Sequence, residues 1–350
     1  MSGDSERGVP RRDYSRSILF PGIGEEGQRR IGAFSIVFVG VGAVGAAAAE
    51  EAARAGFGRL TLIDRDVVEP SNLARQLLFD AEDAARVAPK ADAAASRLAE
   101  IDPAVDARPV VADLDPRNAR ELLAGHDLVF DGSDNFETRL LVSDTARSLG
   151  TPHLYAACVG AEGRVALTIP GETPCLRCWL EALPPSGSGP TCDTVGVVPT
   201  LPPLVASIGM TEAIRLAAGA RPSRGMLVLD VWEGSLRTRR LFEDARPSPA
   251  CPACARGVYP ALEAGEESET VKLCGRQSVQ VKPSGGARAD LPALEARLSA
   301  VARVRRSPQL LHADLEDADV SLTVFQDGRC VVRGTGDPAR ARAIYDRYVG

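Results

Sequence analysis

A chain of 350 residues, 45% hydrophobic and 25% charged, is long enough to bury a large core and to divide into two domains. Its formal net charge of −6 and pI near 5.4 argue against a nucleic-acid binder, whose domains are usually basic. The first twelve residues are polar and charged, without the apolar core of a signal peptide, and the apolar stretch 35–49 is too short to span a bilayer, so a soluble, cytoplasmic protein with no membrane partner is expected.

In chain order, residues 36–39 read as a short buried strand, followed by the turn Gly40-Val-Gly-Ala-Val-Gly45 and an alanine-rich helix to about Arg54. Residues 59–63 form the next strand, which ends at Asp64. Continuous apolar strands around a glycine turn and a helix are the pattern of a parallel sheet covered on both faces. Helices at 83–100, 116–124 and 135–148 and strands at 107–111, 127–131, 152–158 and 163–169 continue it. The predicted fold class is α/β, a Rossmann-like, doubly wound, mainly parallel sheet. The proline- and glycine-rich stretch 184–203 excludes regular structure. A helix at 204–218 and strands at 226–231 and 235–241 follow. Residues 256–270 read as a linker. Beyond it a strand at 271–281, a helix at 290–302, a hairpin at 322–332 with Asp327-Gly328 at its tip and a final helix opened by Pro338 make a small α+β module. The predicted organisation is 1–255 (arm 1–30, core 31–170, knuckle and crossover region 171–255), linker 256–270 and module 271–350.

Eight cysteines in a cytoplasmic chain read as metal ligands, reactive thiols or buried thiols rather than disulfides. Cys175 and Cys178 form one C-x-x-C pair, Cys251 and Cys254 another, and two such knuckles close on one zinc as a tetrahedral, structural four-cysteine site with no open position for water. Cys158, Cys274 and Cys330 lack a partner motif and are expected to be buried thiols. His126, His153 and His312 are isolated and receive no role.

The loop with Gly40, Gly42 and Gly45 fits G-x-G-x-x-G, which gives a tight turn, close approach to phosphate and a helix N-terminus aimed at it. Asp64, at the end of the second strand, is placed to reach a ribose hydroxyl. NAD is the default ligand of this motif. Arg75 and Lys90, however, add cations, and Asp134, at a strand's carboxyl end, is the kind of group that holds Mg2+ with phosphate oxygens, so a triphosphate suits the set better.

With Tyr14-Ser-Arg-Ser17, the glycine loop, Asp64-Arg-Asp66, Ser71-Asn-Leu-Ala-Arg-Gln76, Pro89-Lys90, Ser133-Asp-Asn135, both cysteine pairs and Thr191-Cys192 in order, residues 14–254 resemble the MoeB/ThiF/HesA family, relatives of the ubiquitin-activating enzymes. Three departures stand out: Ala43 where glycine is usual, Ser17 where glutamine is common, and two extra residues between the Arg75 and Lys90 motifs. The resemblance implies an enzyme, an adenylyltransferase that uses ATP and Mg2+ to activate the C-terminal glycine of a ubiquitin-like sulfur carrier of the ThiS/MoaD type and releases pyrophosphate. It implies nucleotide contacts from Gly40, Gly42, Ala43, Gly45, Asp64, Ser71, Asn72, Arg75, Lys90, Asp134 and Asn135. Arg16 would reach the phosphates of a neighbouring subunit, which makes a homodimer. Cys192 would serve sulfur transfer or covalent linkage to the carrier, and the zinc would be structural.

No rhodanese-like extension is evident, so a separate donor such as a cysteine desulfurase or rhodanese is expected, with the C-terminal module as a docking unit for the carrier or another sulfur-transfer partner. Thiamin, molybdopterin and related pathways use such a core, and the extension favours the thiamin-type carrier. Two alternatives stay open: an NAD(P)-dependent oxidoreductase with structural zinc, and a non-catalytic carrier-binding adaptor.

Overall fold

A computed structural model of the chain describes residues 12–180, 195–233, 237–263, 270–272, 277–282, 288–315 and 319–350. Cys192 and Cys274 lie outside them.

Two sheets organise the described residues. The first has eight strands: β1 (Ser35–Val39), β2 (Arg59–Asp64), β3 (Asp106–Val111), β4 (Leu128–Asp131), β5 (His153–Val159), β6 (Glu162–Thr168), β7 (Met226–Asp230) and β8 (Arg237–Leu241), in the order β3-β2-β1-β4-β5-β6-β7-β8. Strands β3 to β5 pair in parallel, and β6 to β8 extend the sheet antiparallel. Every residue of β1 and β4 is buried, as apolar runs demand when helices cover both faces. The helices Ala43–Ala55 and Leu201–Ala217 pack on one face and Phe136–Leu149 on the other. The chain moves from β1 leftward to β2 and β3, then crosses to β4. That reversal opens a crevice at the carboxyl ends of β1 and β4, the usual ligand position of such sheets.

The second sheet is antiparallel, with β9 (Thr270–Lys272), β10 (Ser278–Val281), β11 (Ala302–Arg306), β12 (Leu310–Leu315), β13 (Ser321–Phe325) and β14 (Cys330–Arg333) in the order β11-β12-β13-β14-β10-β9. Its strands alternate. Val279, Leu311, Ala313, Leu322, Val324 and Val332 face the helices Leu291–Leu298 and Pro338–Tyr348, while Leu310, Phe325 and Val331 pack on Val67 and Val87 of the first unit.

Several elements differ from the sequence expectation. The helix expected at 83–100 is two, Ala81–Ala85 and Lys90–Ile101. Pro89 disfavours helical backbone in the residue before it, and Val87 turns left-handed at φ 54°. The strand expected at 271–281 is a pair, β9 against β10. Strands β11 and β12 carry Arg303, Arg305, Arg306, His312 and Asp314, which hid them. The helix Pro260–Glu263 sits within the expected linker, with Leu262 buried beside Ala119 and Leu141. Among the described residues no helix is long and apolar enough to cross a membrane.

Polar contacts join the two sheets at Asp113, just past β3. Lys282 Nζ lies 2.8 Å from Asp113 Oδ2, Gln280 Nε2 donates to the same oxygen at 2.9 Å, and Arg65 Nη1 is 3.2 Å from Oδ1. Burial alone pushes the Asp113 carboxyl up, but the charges of Arg65 and Lys282 and these hydrogen bonds outweigh it and hold the group at about 2, below the ordinary 3.8. The folded value is depressed, so the stabilisation is present above about pH 4 and is lost as pH falls toward 2. Asp113→Asn is expected to cost about 2 kcal/mol of stability at pH 7. In denaturant unfolding from pH 7 downward, the gap to the parent protein should narrow below pH 4; a constant gap would contradict the assignment.

Candidate functional site

Three glycines shape the cradle, each for a different steric reason. Gly40 has φ +83°, and a Cβ there would meet Gly132 O at 3.0 Å, so the turns after β1 and β4 touch. A Cβ at Gly45 would lie 1.9 Å from Gly40 O, so this glycine closes helix against turn and does not line the cleft. Gly42 has open space beyond it, with the nearest atom, Gln76 Nε2, at 3.9 Å. This division of labour is that of a dinucleotide or phosphate turn. Gly40, Gly42 and Ala43 line the cleft at the N-terminus of the helix Ala43–Ala55.

Asp64 ties the cradle to the next loop. Its Oδ2 accepts from Val41 N and its Oδ1 from Asp66 N, both at 2.7 Å. Burial raises its pKa, Lys90 opposes that, and the neighbouring Asp66 charge adds to it. Lys90, 3% exposed, is held to Asp66 twice, by Nζ to Oδ2 at 3.2 Å and by its backbone N–H to Asp66 O at 2.9 Å. Arg75 donates from Nη1 to Ser71 O at 2.8 Å. Asp134 is exposed at the opposite lip, where Asn135 Nδ2 donates to its Oδ1 at 3.2 Å. Asn135 also caps the helix Phe136–Leu149 by accepting from Thr138 N at 2.8 Å.

Of the expected nucleotide residues, Gly40, Gly42, Ala43, Asp64, Arg75, Lys90, Asp134 and Asn135 line one cleft. Ser71 and Asn72 do not. Ser71 is exposed, and Asn72 is fully buried, its Oδ1 accepting from Glu69 N at 3.0 Å as part of a capping box around the turn Pro70–Asn72. Arg16 is exposed on the short helix Ser15–Ile18 and is not part of this cleft.

Further side chains that line the cleft include Arg65, Gln76, Arg139 and Cys158. Arg139 lies over the rings of Phe136 (5.4 Å) and Tyr155 (5.3 Å) and donates to Ser133 O at 3.0 Å, which steadies the turn that carries Asp134. Its place one helical turn after the capping Asn135 was the available sequence signal. Gln76 is 4% exposed and its Oε1 has no hydrogen-bond partner, an acceptor of the kind a ligand satisfies. Beneath the turn Asp131 Oδ1 accepts from Ser133 N and Oγ, and His153 Nε2 lies 3.5 Å from Asp131 Oδ2. Burial pushes the Asp131 carboxyl up, yet His153, the charge of Arg139 and the Ser133 hydrogen bond together more than offset it and the pKa is lowered. His126 and His312 are spent on hydrogen bonds to Thr61 and Thr323.

Away from the cleft, Cys175, Cys178, Cys251 and Cys254 bring their sulfurs within 4.8 Å of one another. The separations of 3.9 Å (Cys175–Cys178), 3.7 Å (Cys175–Cys251) and 3.6 Å (Cys178–Cys254) match the roughly 3.8 Å edge of a tetrahedron with Zn–S bonds of about 2.3 Å. Cys178 Sγ also accepts from Ser248 N and Cys251 Sγ from Cys254 N, both at 3.5 Å, as hydrogen bonds to thiolates do. Within the first knuckle, Arg177 meets buried Asp144 with a bidentate pair at 2.7 and 2.8 Å, and Asp144 Oδ2 also accepts from Ala261 N. The donor set fits a closed structural zinc. Elemental analysis is expected to find one zinc per chain. Cys251→Ser should lose the metal and lower the melting temperature; full retention of metal would contradict the site.

Known proteins resemble this chain in sequence and in fold. The ThiF family profile matches residues 14–253. The chain is 39% identical over 341 residues to the "Sulfur carrier protein ThiS adenylyltransferase" of Bacillus subtilis, covering 96% of this chain and 99% of that protein. It is 38% identical over 260 residues to the "SAMP-activating enzyme E1" of Haloferax volcanii, covering 71% of this chain and 91% of that protein. The crystal structure of E. coli MccB shares the fold, with a TM-score of 0.60 at 18% identity over 69% of this chain and 72% of that one. The chain belongs to the ThiF family, of the MoeB/ThiF adenylyltransferase type.

Proposed function

We propose that the protein adenylylates the C-terminal glycine of a ubiquitin-like sulfur carrier of the ThiS/MoaD type. A carboxylate oxygen of the carrier attacks the α-phosphorus of ATP, the bond to the β-phosphate oxygen breaks, and pyrophosphate leaves with the electron pair. The product is an acyl-adenylate ready for conversion to a thiocarboxylate. The observation that carries the reading is the lining of one cleft by Arg75, Lys90 and Asp134 above the glycine cradle.

A terminal carboxyl group has a pKa of about 3.3–3.7, so the nucleophile is already ionised and needs no general base. The barrier is the approach of one anion to another, which positioning and neutralisation lower. Asp64 orients the ribose, Lys90 and Arg75 face the phosphates, and Arg139 and Asn135 hold Asp134. Mg2+ on Asp134 would supply further neutralising charge. The four cysteines would hold zinc for structure alone. Arg16 would act on the neighbouring subunit's nucleotide in a homodimer, and Cys192 in sulfur transfer or carrier linkage. Sulfur would come from a separate cysteine desulfurase or rhodanese, in the cytoplasm. Residues 1–255 serve as the adenylation unit, joined through 256–270 to the module 271–350. The B. subtilis relative, named for ThiS, aligns over nearly the whole chain, which favours the thiamin-type carrier over a molybdopterin-type one.

Exchange of labelled pyrophosphate into ATP, measured with Mg·ATP and each candidate carrier in turn, is expected only with a ThiS-type carrier; no exchange with any carrier would refute the reading. Lys90→Met should lower exchange by about 100-fold or more. Cys192→Ala should leave exchange intact and weaken sulfur transfer, and loss of exchange in that variant would contradict the separation of the two steps.

A further inference from the structure

Arg65 follows Asp64 directly and lines the cleft beside Ala112 and Leu114. Its position is set from the second sheet at three places. Its guanidinium meets Asp113, whose other oxygen is held by Lys282 and Gln280 from the β10 region. Its backbone carbonyl accepts from Arg329 Nη1 at 2.8 Å. Arg329, 2% exposed at the β13–β14 hairpin, lies 3.4 Å over the ring of Phe325. Four residues on, Glu69 pairs with Arg333 of β14, and Val67 between them packs on Phe325 and Val331. The gripped segment also contains Asp66, the partner of Lys90.

A charge taken out of water costs free energy unless it is paired, so the buried Arg329 and the half-buried Arg65 and Lys282, each paired with a carboxylate, make a specific contact and not mere coverage. The family profile stops at residue 253, so the second sheet lies outside it.

We propose that the C-terminal sheet sets the affinity of the cleft for its nucleotide, with Arg65 as a further cationic contact to the ligand and Lys282, Gln280 and Arg329 as positioning residues that act through Arg65 and Asp113. The proposal rests on the reading of the cleft as an ATP site. A module that served only to dock the carrier would alter the carrier's KM and leave nucleotide binding alone. A module that positions the 65–69 segment does the reverse.

The test compares the full chain with Gln280→Leu/Lys282→Met by calorimetric titration of Mg·ATP and by the carrier's KM in pyrophosphate exchange. The double variant is expected to raise the Kd for Mg·ATP by roughly 3- to 30-fold, the range seen for coupling through a contact network. The carrier's KM should stay unchanged, and Lys282→Arg should restore binding. Lys282 is only partly buried, so the single variant Lys282→Gln replaces the double variant if that fails to fold, and it is read the same way. An unchanged Kd in a folded variant, with or without a raised carrier KM, overturns the proposal and leaves the ATP reading standing. Failure of the parent protein to bind Mg·ATP overturns both.

Discussion

A lysine ammonium almost wholly out of water needs a counter-charge, and Asp66 supplies it to Lys90 at 3.2 Å. The rest of the cleft depends on that pair. Asp66 is placed by Asp64, which accepts its backbone N–H, and Asp64 with its other oxygen holds Val41 in the glycine turn. One chain of contacts thus links the end of β2, the turn after β1 and the first residue of the helix Lys90–Ile101. The left-handed turn at Val87 ends the preceding helix and Pro89 takes the N-cap of the next, so Lys90 starts a new helix at the cleft wall. A cation fixed in this way needs no reorganisation when an anion arrives, which would strengthen its hold on the phosphates of the proposed ligand.

The sheet gives this cluster its opening. Strand order reverses between β1 and β4, and the turns that leave them nearly touch at Gly40 and Gly132. The β1 side brings the helix N-terminus and Asp64; the β4 side brings Asp134 on a turn that Asp131, Asn135 and Arg139 all hold. The antiparallel strands β6 to β8 and the cysteine cluster complete the far flank, which the Arg177–Asp144 pair locks to the helix Phe136–Leu149. The second sheet closes the near flank against residues 65–69.

Features that are local in sequence were legible in it. The glycine spacing, Asp64, both cysteine pairs and the Asp-Gly hairpin each depend on residues within a few positions of one another, and each appears in the fold. Residues known only through three-dimensional contact were not. Arg329 touches Arg65 across 264 positions and Gln280 reaches Asp113 across 167, so neither leaves a local pattern. Strands β11 and β12 were missed because their outer faces carry charge where they meet solvent or the first unit. Asn72 sits inside a recognisable motif, but the structure commits its carboxamide oxygen to Glu69 N. The break at Pro89 was marked in the sequence by the proline itself, and the periodicity on either side of it masked the mark.

The most direct measurement is a crystal structure of the protein with Mg2+ and a non-hydrolysable ATP analogue. The triphosphate should lie over the N-terminus of the helix Ala43–Ala55, within hydrogen-bond reach of Lys90 and Arg75, with the metal on Asp134. Phosphates bound away from Lys90 and Arg75, or a nucleotide seated elsewhere on the chain, would contradict the assignment of the cleft.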